Sequence, residues 1–588
     1  MHKTKNSTLE AKRHSLAHLL AAAVLKIYPE AKLAIGPATE TGFYYDIDLD
    51  RTISDKDLPV IEEKMRELAL KWRDFKGQNI STSEAKKLFK NNQYKLELIN
   101  ELEQTGETIT IYTSGSGENE FCDLCRGGHV NDMVEIEPGS WQLNTVAGAY
   151  WRGSNENKML TRIYGLAFND EAELKKYLDQ MSEAKKRDHR KLGKELDLFT
   201  FSELIGPGLP LFTAKGAAMR EAIVNKIDEI QRKYGYQKVS IPHITKPDLY
   251  KTSGHWEKFG EELFKVSGKE SQFVMKPMNC PHHTQIYASG AKSYKDLPVR
   301  MAETTTVYRD EQTGELLGLS RVRSLTQDDG HVFCTPEQTE AEIENIIEVI
   351  KEFYTLLGMY TTGNYQVFLS VRDPDKPGDY LGNTELWEEA ENTLKKIAEN
   401  RDLPFGIEKG EAAFYGPKLD FMFQDAIGRK WQLATIQLDF VMPERFDLKY
   451  TDKDGSSKHP VMIHRAIAGS LERFLSVIIE HFAGAFPTWL APIQVAILPV
   501  SEDHLPAAKK IDDQLKENGL RSELKAGTDS LGKRIRQTKD QKVPHWLVLG
   551  DHEINTDTVT AEDRSGDKNN LTLDEFTRII KEKEHDGN

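Results

Sequence analysis

Near the amino terminus, Leu16, Leu19, Leu20, Ala23, Val24 and Ile27 recur at helical spacing, which predicts a helix running through His14 and His18. Thr41–Tyr45 reads as a strand, with a turn over Asp46–Asp50. A helix is expected over roughly 55–75, and another opens at Asp170 and carries a basic run to Lys194 as one long charged linker. Farther on come an amphipathic helix near Ala217–Lys233 and a strand Tyr236–Pro242, whose proline suits a sheet edge or end. Strands follow at Val299–Tyr308 and Ser320–Asp328, with Gly314 and Gly318 in the loop between them. Leu471, Phe474, Leu475, Ile478 and Ile479 form a helical core stripe. This is the pattern of an antiparallel sheet with helices rather than of repeated βαβ units. After the proline-rich Pro487–Pro492, a strand run Ile493–Val500, a helix Leu505–Asn518 and a strand Trp546–Gly550 predict a small α/β domain. The expected organisation is multi-domain α+β: residues 1–180, a helical linker 181–194, a central domain 195–488 and a carboxy-terminal domain 489–588.

Composition narrows the setting. The chain has 588 residues, 38% hydrophobic and 29% charged, which fits a soluble protein of several domains. Its first ten residues are polar and lack a signal-peptide core. The apolar runs Leu16–Leu25 and Trp489–Val500 are interrupted and too short to span a bilayer, so no membrane partner is expected. Four cysteines argue against a disulfide scaffold and for a reducing, cytoplasmic location. A net charge of −15 matches a nucleic-acid binder poorly, so RNA would need local basic surface. Lys185–Lys194 and Lys533–Lys542 offer it, although the plain reading of each is a solvated helix face.

The chemistry sits in separate runs. Cys280 lies in Val274-Met-Lys-Pro-Met-Asn-Cys-Pro-His-His283, His331 closes Ser320–His331, and His464 lies in Pro460–Arg473. One thiolate and two imidazoles make a three-ligand zinc site with a position left for substrate. Neither a Rossmann glycine motif nor a Walker loop is present, so a nucleotide would be held by arginines, whose guanidinium forks suit phosphate. Upstream, His14-Ser-Leu-Ala-His18 and Cys122-Asp-Leu-Cys-Arg-Gly-Gly-His129 gather a second set of potential ligands. On these residues alone that set reads as a second zinc site or as a purely structural cluster.

The runs around Cys280, His331 and His464 resemble those of bacterial-type threonyl-tRNA synthetases, and the central piece resembles the class II synthetases. Its three motifs are a helix and strand ending at Pro242, Thr306-Val-Tyr-Arg-Asp-Glu311 with Arg321, and Gly469-Ser-Leu-Glu-Arg473. The resemblance implies activation of threonine with ATP and transfer to tRNA(Thr). It implies one zinc per chain on Cys280, His331 and His464, magnesium with ATP, and a homodimer through the first motif. It assigns Arg309 to the α-phosphate, Arg473 to the γ-phosphate and Glu311 to the adenine amino group, with Arg321 beside the nucleotide. Asp329 goes to the threonine hydroxyl, Gln327, Tyr415 and Gln437 to the pocket wall, Lys418 to the reacting phosphate or carboxylate, and His255 to the transfer step. The amino-terminal piece resembles an α+β editing domain that clears mischarged Ser-tRNA(Thr), with His14, His18, Cys125, His129, Asp123 and Lys95, metal-free in the bacterial enzymes. The carboxy-terminal piece resembles an anticodon-binding domain, with Arg536, Glu553 and Arg564.

Four departures from the family pattern stand out. Leu325 replaces an aromatic residue expected over adenine, and Gly128 replaces a proline. Ala561-Glu-Asp-Arg564 keeps one arginine of a usual pair. The ubiquitin-like domain usual before the editing domain is not expected here. A prolyl- or glycyl-type synthetase would lack the Cys280–His331–His464 set. A non-catalytic synthetase-like RNA-binding protein would have lost motif arginines or ligands, and all of them stand here.

Overall fold

The structure, a computed structural model, describes residues 2–154 and 156–586 and divides into two compact units, Met1–Ser182 and Glu183–Asn588. In the first, the helix His2–Ile27 buries Leu16, Leu19, Leu20, Ala23 and Val24 against the helix Leu58–Ala69 and a four-stranded antiparallel sheet. The sheet runs Lys32–Leu33, Gly42–Asp48, Met159–Ala167, Trp141–Tyr150. A second, three-stranded sheet, Phe75–Asn79, Thr110–Ser114 and Phe121–Leu124, carries the chain up to Cys125.

Two expectations for this region are corrected. Asp46–Asp48 continue the strand instead of turning. Their carboxylates are buried but matched: Asp46 takes two bonds from Arg162 (2.6 and 2.8 Å), and Asp48 pairs with Lys158 (2.7 Å) and the Tyr94 hydroxyl (2.9 Å). The helix expected over 55–75 is confined to Leu58–Ala69, after a 3₁₀ turn at Asp55–Asp57.

The charged linker helix is broken in two, Glu171–Arg187 and His189–Glu195, because Asp188 leaves helical geometry and its carboxylate caps the amide of Arg190 at 2.8 Å.

The second unit is built on an eight-stranded sheet. Its order is Gln237–Lys238, Val299–Tyr308, Ser324–Cys334, Val461–Ala466, Lys430–Asp439, Lys418–Gln424, Tyr365–Val371, Phe405–Lys409. It is antiparallel except at its two edges, where the outer pairs are parallel. Of the expected strand Tyr236–Pro242, only Gln237–Lys238 pairs, at that edge. The strand expected at Ser320–Asp328 instead begins at Ser324 and runs through His331 to Cys334.

Alternation sorts this sheet into two chemistries. Val332, Cys334, Ile463, Ile436, Leu438, Leu419 and Phe421 pack in one core with the helices Ala214–Lys233, Thr339–Leu356 and Leu471–His481. The residues between them face the other way, and those are the candidate site.

The carboxy-terminal part is a mixed five-stranded sheet, Ser522–Leu524, Val495–Pro499, His545–Leu549, Val559–Asp563, Lys568–Leu571, flanked by helices. Among the described residues no helix is long and apolar enough to cross a membrane.

Candidate active site

Strand register builds the centre of the site. Lys418 lies opposite Gln437, Gln437 opposite His464, and His464 opposite His331, so four neighbouring strands contribute one row of side chains. Asp329 and Gln327 share the His331 face by period two, as Asp439 shares that of Gln437. Cys280 approaches from the first turn of the helix Cys280–Ala288, and its Sγ, with one nitrogen each of His331 and His464, forms a group whose atoms lie within 4.8 Å of one another.

The outer partners of this group allow its inner nitrogens to face a cation. Nε2 of His464 is 2.8 Å from the buried carboxylate of Asp439, to which it must donate, leaving a lone pair on Nδ1. Nδ1 of His331 lies 2.7 Å from Nδ1 of His283, which can accept its proton. With the His331 proton on that side, its Nε2 also carries a lone pair, 3.1 Å from Nδ1 of His464. In that tautomer two lone pairs face each other beside a buried thiol, which favours a cation between them; in the other, His331 donates from Nε2 to His464. Burial alone pushes the Cys280 thiol well above its usual pKa, and a dication reverses that. The donor set and its outer partners fit zinc.

Beside this group opens a cleft of about 540 Å³. Its walls include His464, Asp329, Gln327, Gln437, Tyr415 and Lys418 at one end and Arg309, Glu311, Arg321, Leu325 and Arg473 at the other. Asp329 is buried, which raises its pKa, and accepts from the side-chain amide of Asn279 at 3.0 Å. Lys418 pairs with Asp420 at 2.9 Å. Arg309 has its Nε buried without a partner among the described residues, and burial lowers its pKa. A guanidinium held in that state is prepared for an anion. Arg321 donates to one oxygen of Glu311 twice, at 2.9 and 2.7 Å. Arg473, in the first turn of Leu471–His481, donates to the Ser320 carbonyl at 3.1 Å.

His255 does not line the cleft. It is buried, with Nδ1 2.8 Å from the Ser253 hydroxyl and Nε2 3.7 Å from Cys280 Sγ, and burial pushes its pKa down to about 3.

Residues 264–482 match the tRNA synthetase class II core domain (G, H, P, S and T). Residues 494–583 match an anticodon-binding domain, and 109–164 the threonyl and alanyl tRNA synthetase second additional domain. The threonine–tRNA ligase of Thermotoga neapolitana is 45% identical over 578 residues, covering 98% of this chain and 88% of that protein. That of Dehalococcoides mccartyi strain CBDB1 is 45% identical over 577 residues, covering 98% and 96%. The chain belongs to the threonine–tRNA ligase family. Among solved structures, the RNA-binding domain of threonyl-tRNA synthetase from Cryptosporidium parvum Iowa II is 36% identical with a TM-score of 0.64, over 67% of this chain and 98% of that one. A putative threonyl-tRNA synthetase from Aeropyrum pernix is 28% identical with a TM-score of 0.61, over 68% and 96%. The central domain of the chain is thus a class II synthetase catalytic core.

The ligase's first unit holds the second constellation. His14 and His18, one helical turn apart, meet Cys125 and His129 so that one atom of each lies within 4.8 Å of the others. Cys125 Sγ is 3.4 Å from His14 Nε2 and 3.3 Å from His129 Nε2. Burial lowers the pKa of all three histidines, His129 to about 2, and lifts Cys125 to about 11. Asp123 forms a buried ion pair with Lys95 at 2.6 Å and accepts from the Tyr45 hydroxyl. All of these line a cleft of about 1050 Å³. Gly128 has a φ of +86°, a value closed to proline.

The three carboxy-terminal candidates are not brought together as one free surface. Arg536 is exposed, whereas Arg564 donates to the carbonyls of Phe486 and Lys542, and Glu553 accepts from Thr560 (2.7 Å) and the Gly550 amide (2.8 Å).

Sequence reasoning missed Asp439 and His283. Both had a signal: Asp439 stands two after Gln437 on a strand, and His283 three after Cys280 on a helix. It also missed the buried pair Asp328–Arg465 (2.8 Å), which ties the opposite face of the ligand-bearing strands together.

Proposed function

We propose that Cys280, His331 and His464 hold one zinc ion that selects threonine for ligation to tRNA(Thr). The supporting observation is the buried triad itself: Cys280 Sγ and one nitrogen each of His331 and His464 lie within 4.8 Å of one another, with Asp439 and His283 holding the two rings from outside. When bound, the metal supplies a Lewis-acidic position for the amino and hydroxyl groups of threonine. Asp329, on the same face, accepts the hydroxyl proton, and Gln327, Gln437 and Tyr415 close the pocket around the methyl and amino groups. Valine has the shape but no hydroxyl, and such sites reject the missing hydroxyl by on the order of 10⁴–10⁵. Arg309 and Arg473 carry the phosphates of ATP, magnesium bound with the ATP would offset the charge of the triphosphate, and the free oxygen of Glu311 takes the adenine amino group. Leu325 covers the ring by dispersion where relatives use an aromatic. Lys418 stabilises the charge that builds between carboxylate and α-phosphate. His255 contacts Cys280 rather than the cleft, so its part in transfer to the terminal ribose runs through that wall.

Serine keeps the hydroxyl and lacks only a methyl, worth about 1–3 kcal/mol, so a second sieve is needed. The cleft of the first unit supplies it as a metal-free hydrolytic site. Burial holds its imidazoles neutral, so a ring nitrogen can accept a hydrogen bond from a water in the cleft, and the Lys95–Asp123–Tyr45 cluster gives the terminal ribose of tRNA polar partners. The chain works as a homodimer through the first class II motif, with tRNA reaching both units.

Zinc content together with threonine-dependent ATP–pyrophosphate exchange, for the native chain and Cys280→Ser, tests this reading. About one zinc per chain, with exchange lost in the variant, is the expected result. About two zincs would overturn the metal-free editing site, and no zinc with undiminished exchange would overturn the metal-based selection of threonine.

A further inference from the structure

The loop that carries Arg309, Glu311 and Arg321 returns to the sheet through Gly318–Arg323, and what holds this return limb comes largely from outside the loop. The Leu319 amide donates to Nε2 of His189 at 3.1 Å. His189 stands just after the break in the linker helix, and its two nitrogens are fully used. Nδ1 lies 2.6 Å from Glu480, and the His189 backbone amide donates to the same carboxylate oxygen at 2.9 Å. Since Nε2 must accept from Leu319, Nδ1 carries the proton and donates to Glu480. The other oxygen of Glu480 accepts from Arg429 at 2.5 Å. Glu480 lies at the far end of the helix whose first turn bears Arg473.

A second, independent observation concerns Gly318. Its φ is +51°, and a β-carbon there would overlap the ring nitrogen of His189 and crowd Arg190. The loop therefore needs glycine at this point both for its backbone geometry and because the imidazole occupies the space. The limb beyond is fastened in step: Leu319 is fully buried, Ser320 contacts Ser476 (2.9 Å) and receives Arg473, and the Arg323 amide donates to the Gly208 carbonyl at 2.8 Å.

We propose that His189 is a positioning residue for ATP. It touches no substrate, but it sets the height of the return limb and with it the Arg321–Glu311 pair and the Ser320 carbonyl that orients Arg473. The linker thereby contributes to the nucleotide end of the cleft, although no sequence motif of that end includes it. The inference rests on the reading of the cleft as the ATP site.

ATP binding by calorimetry and the KM values for ATP and threonine in pyrophosphate exchange test it, on the native chain, His189→Ala, His189→Gln and Gly318→Ala. Losing the acceptor for a buried amide is expected to raise the KM for ATP about tenfold in His189→Ala. The KM for threonine and the metal content should stay within twofold of native. Gln, which can donate to Glu480 and accept from Leu319, should recover most of the loss. Gly318→Ala should raise the KM for ATP as His189→Ala does, and it serves in its place if that chain fails to fold. An unchanged KM for ATP with only a lowered melting temperature, or equal losses for ATP and threonine, would overturn the proposal. Absence of ATP binding by the native chain would instead overturn the assignment of the cleft.

Discussion

Both candidate histidine ligands are set by a neighbour outside the cleft walls, His464 by Asp439 and His331 by His283. Asp439 fixes the ring of His464 through a bond of 2.8 Å. Its replacement by Asn removes the charge that holds the tautomer, and zinc affinity is expected to fall about 10–100-fold by chelator competition, with the fold intact. Buried histidines also give the chain an acid limit. Unfolded, a histidine takes its proton near 6.5, whereas burial pushes His545 down to about 4 and His129 to about 2. Between those values the unfolded chain binds more protons than the folded one, so stability is lost as the pH falls below about 6.5. For His545 the expected loss is about 1.4 kcal/mol per pH unit down to about 4, read from denaturant midpoints at pH 7, 6 and 5. The sequence showed Cys280, His331 and His464 because each sat in a distinctive run. It hid Asp439 and His283 because a carboxylate or imidazole that works through another residue carries no run of its own. The resemblance already grouped Lys95 with Asp123, whereas Tyr45, which binds both, comes from a third element and only the fold added it.

Among the elements, the sheet does the most for function. Alternation was legible where it was long, and Val299–Tyr308 is the strand the pattern gives. It failed where charge interrupted apolar periodicity. Asp46–Asp48 looked like a turn because the cations that match them lie far along the chain. The strand to Cys334 looked shorter because its site face sets Gln327, Asp329 and His331 in succession, which breaks the apolar alternation. The linker looked continuous because Asp188 was read as one more surface charge rather than as a cap. Gly330, between Asp329 and His331, faces the Arg465 guanidinium, and any β-carbon there would press on it. Gly330→Ala is expected to cost about 1–3 kcal/mol, seen as a lower melting temperature, and to weaken zinc binding with it.

At the scale of the molecule, two compact units carry two clefts of different chemistry. A chain so divided is not expected to unfold in a single step, and calorimetry should show at least two transitions. Removing zinc with a chelator is expected to lower the transition of the second unit by several degrees and leave that of the first in place, since only a ligand-binding unit gains from its ligand. A shift in both would mean that the first unit also holds metal. The row from Lys418 to His331 has one more consequence. Side chains mounted on adjacent inner strands move only as the strands do, so the backbone amides beneath them should be among the last in the molecule to exchange with deuterated solvent. On the proposed reading of the cleft, recognition of the amino acid would then be set by the slowest-breathing part of the protein.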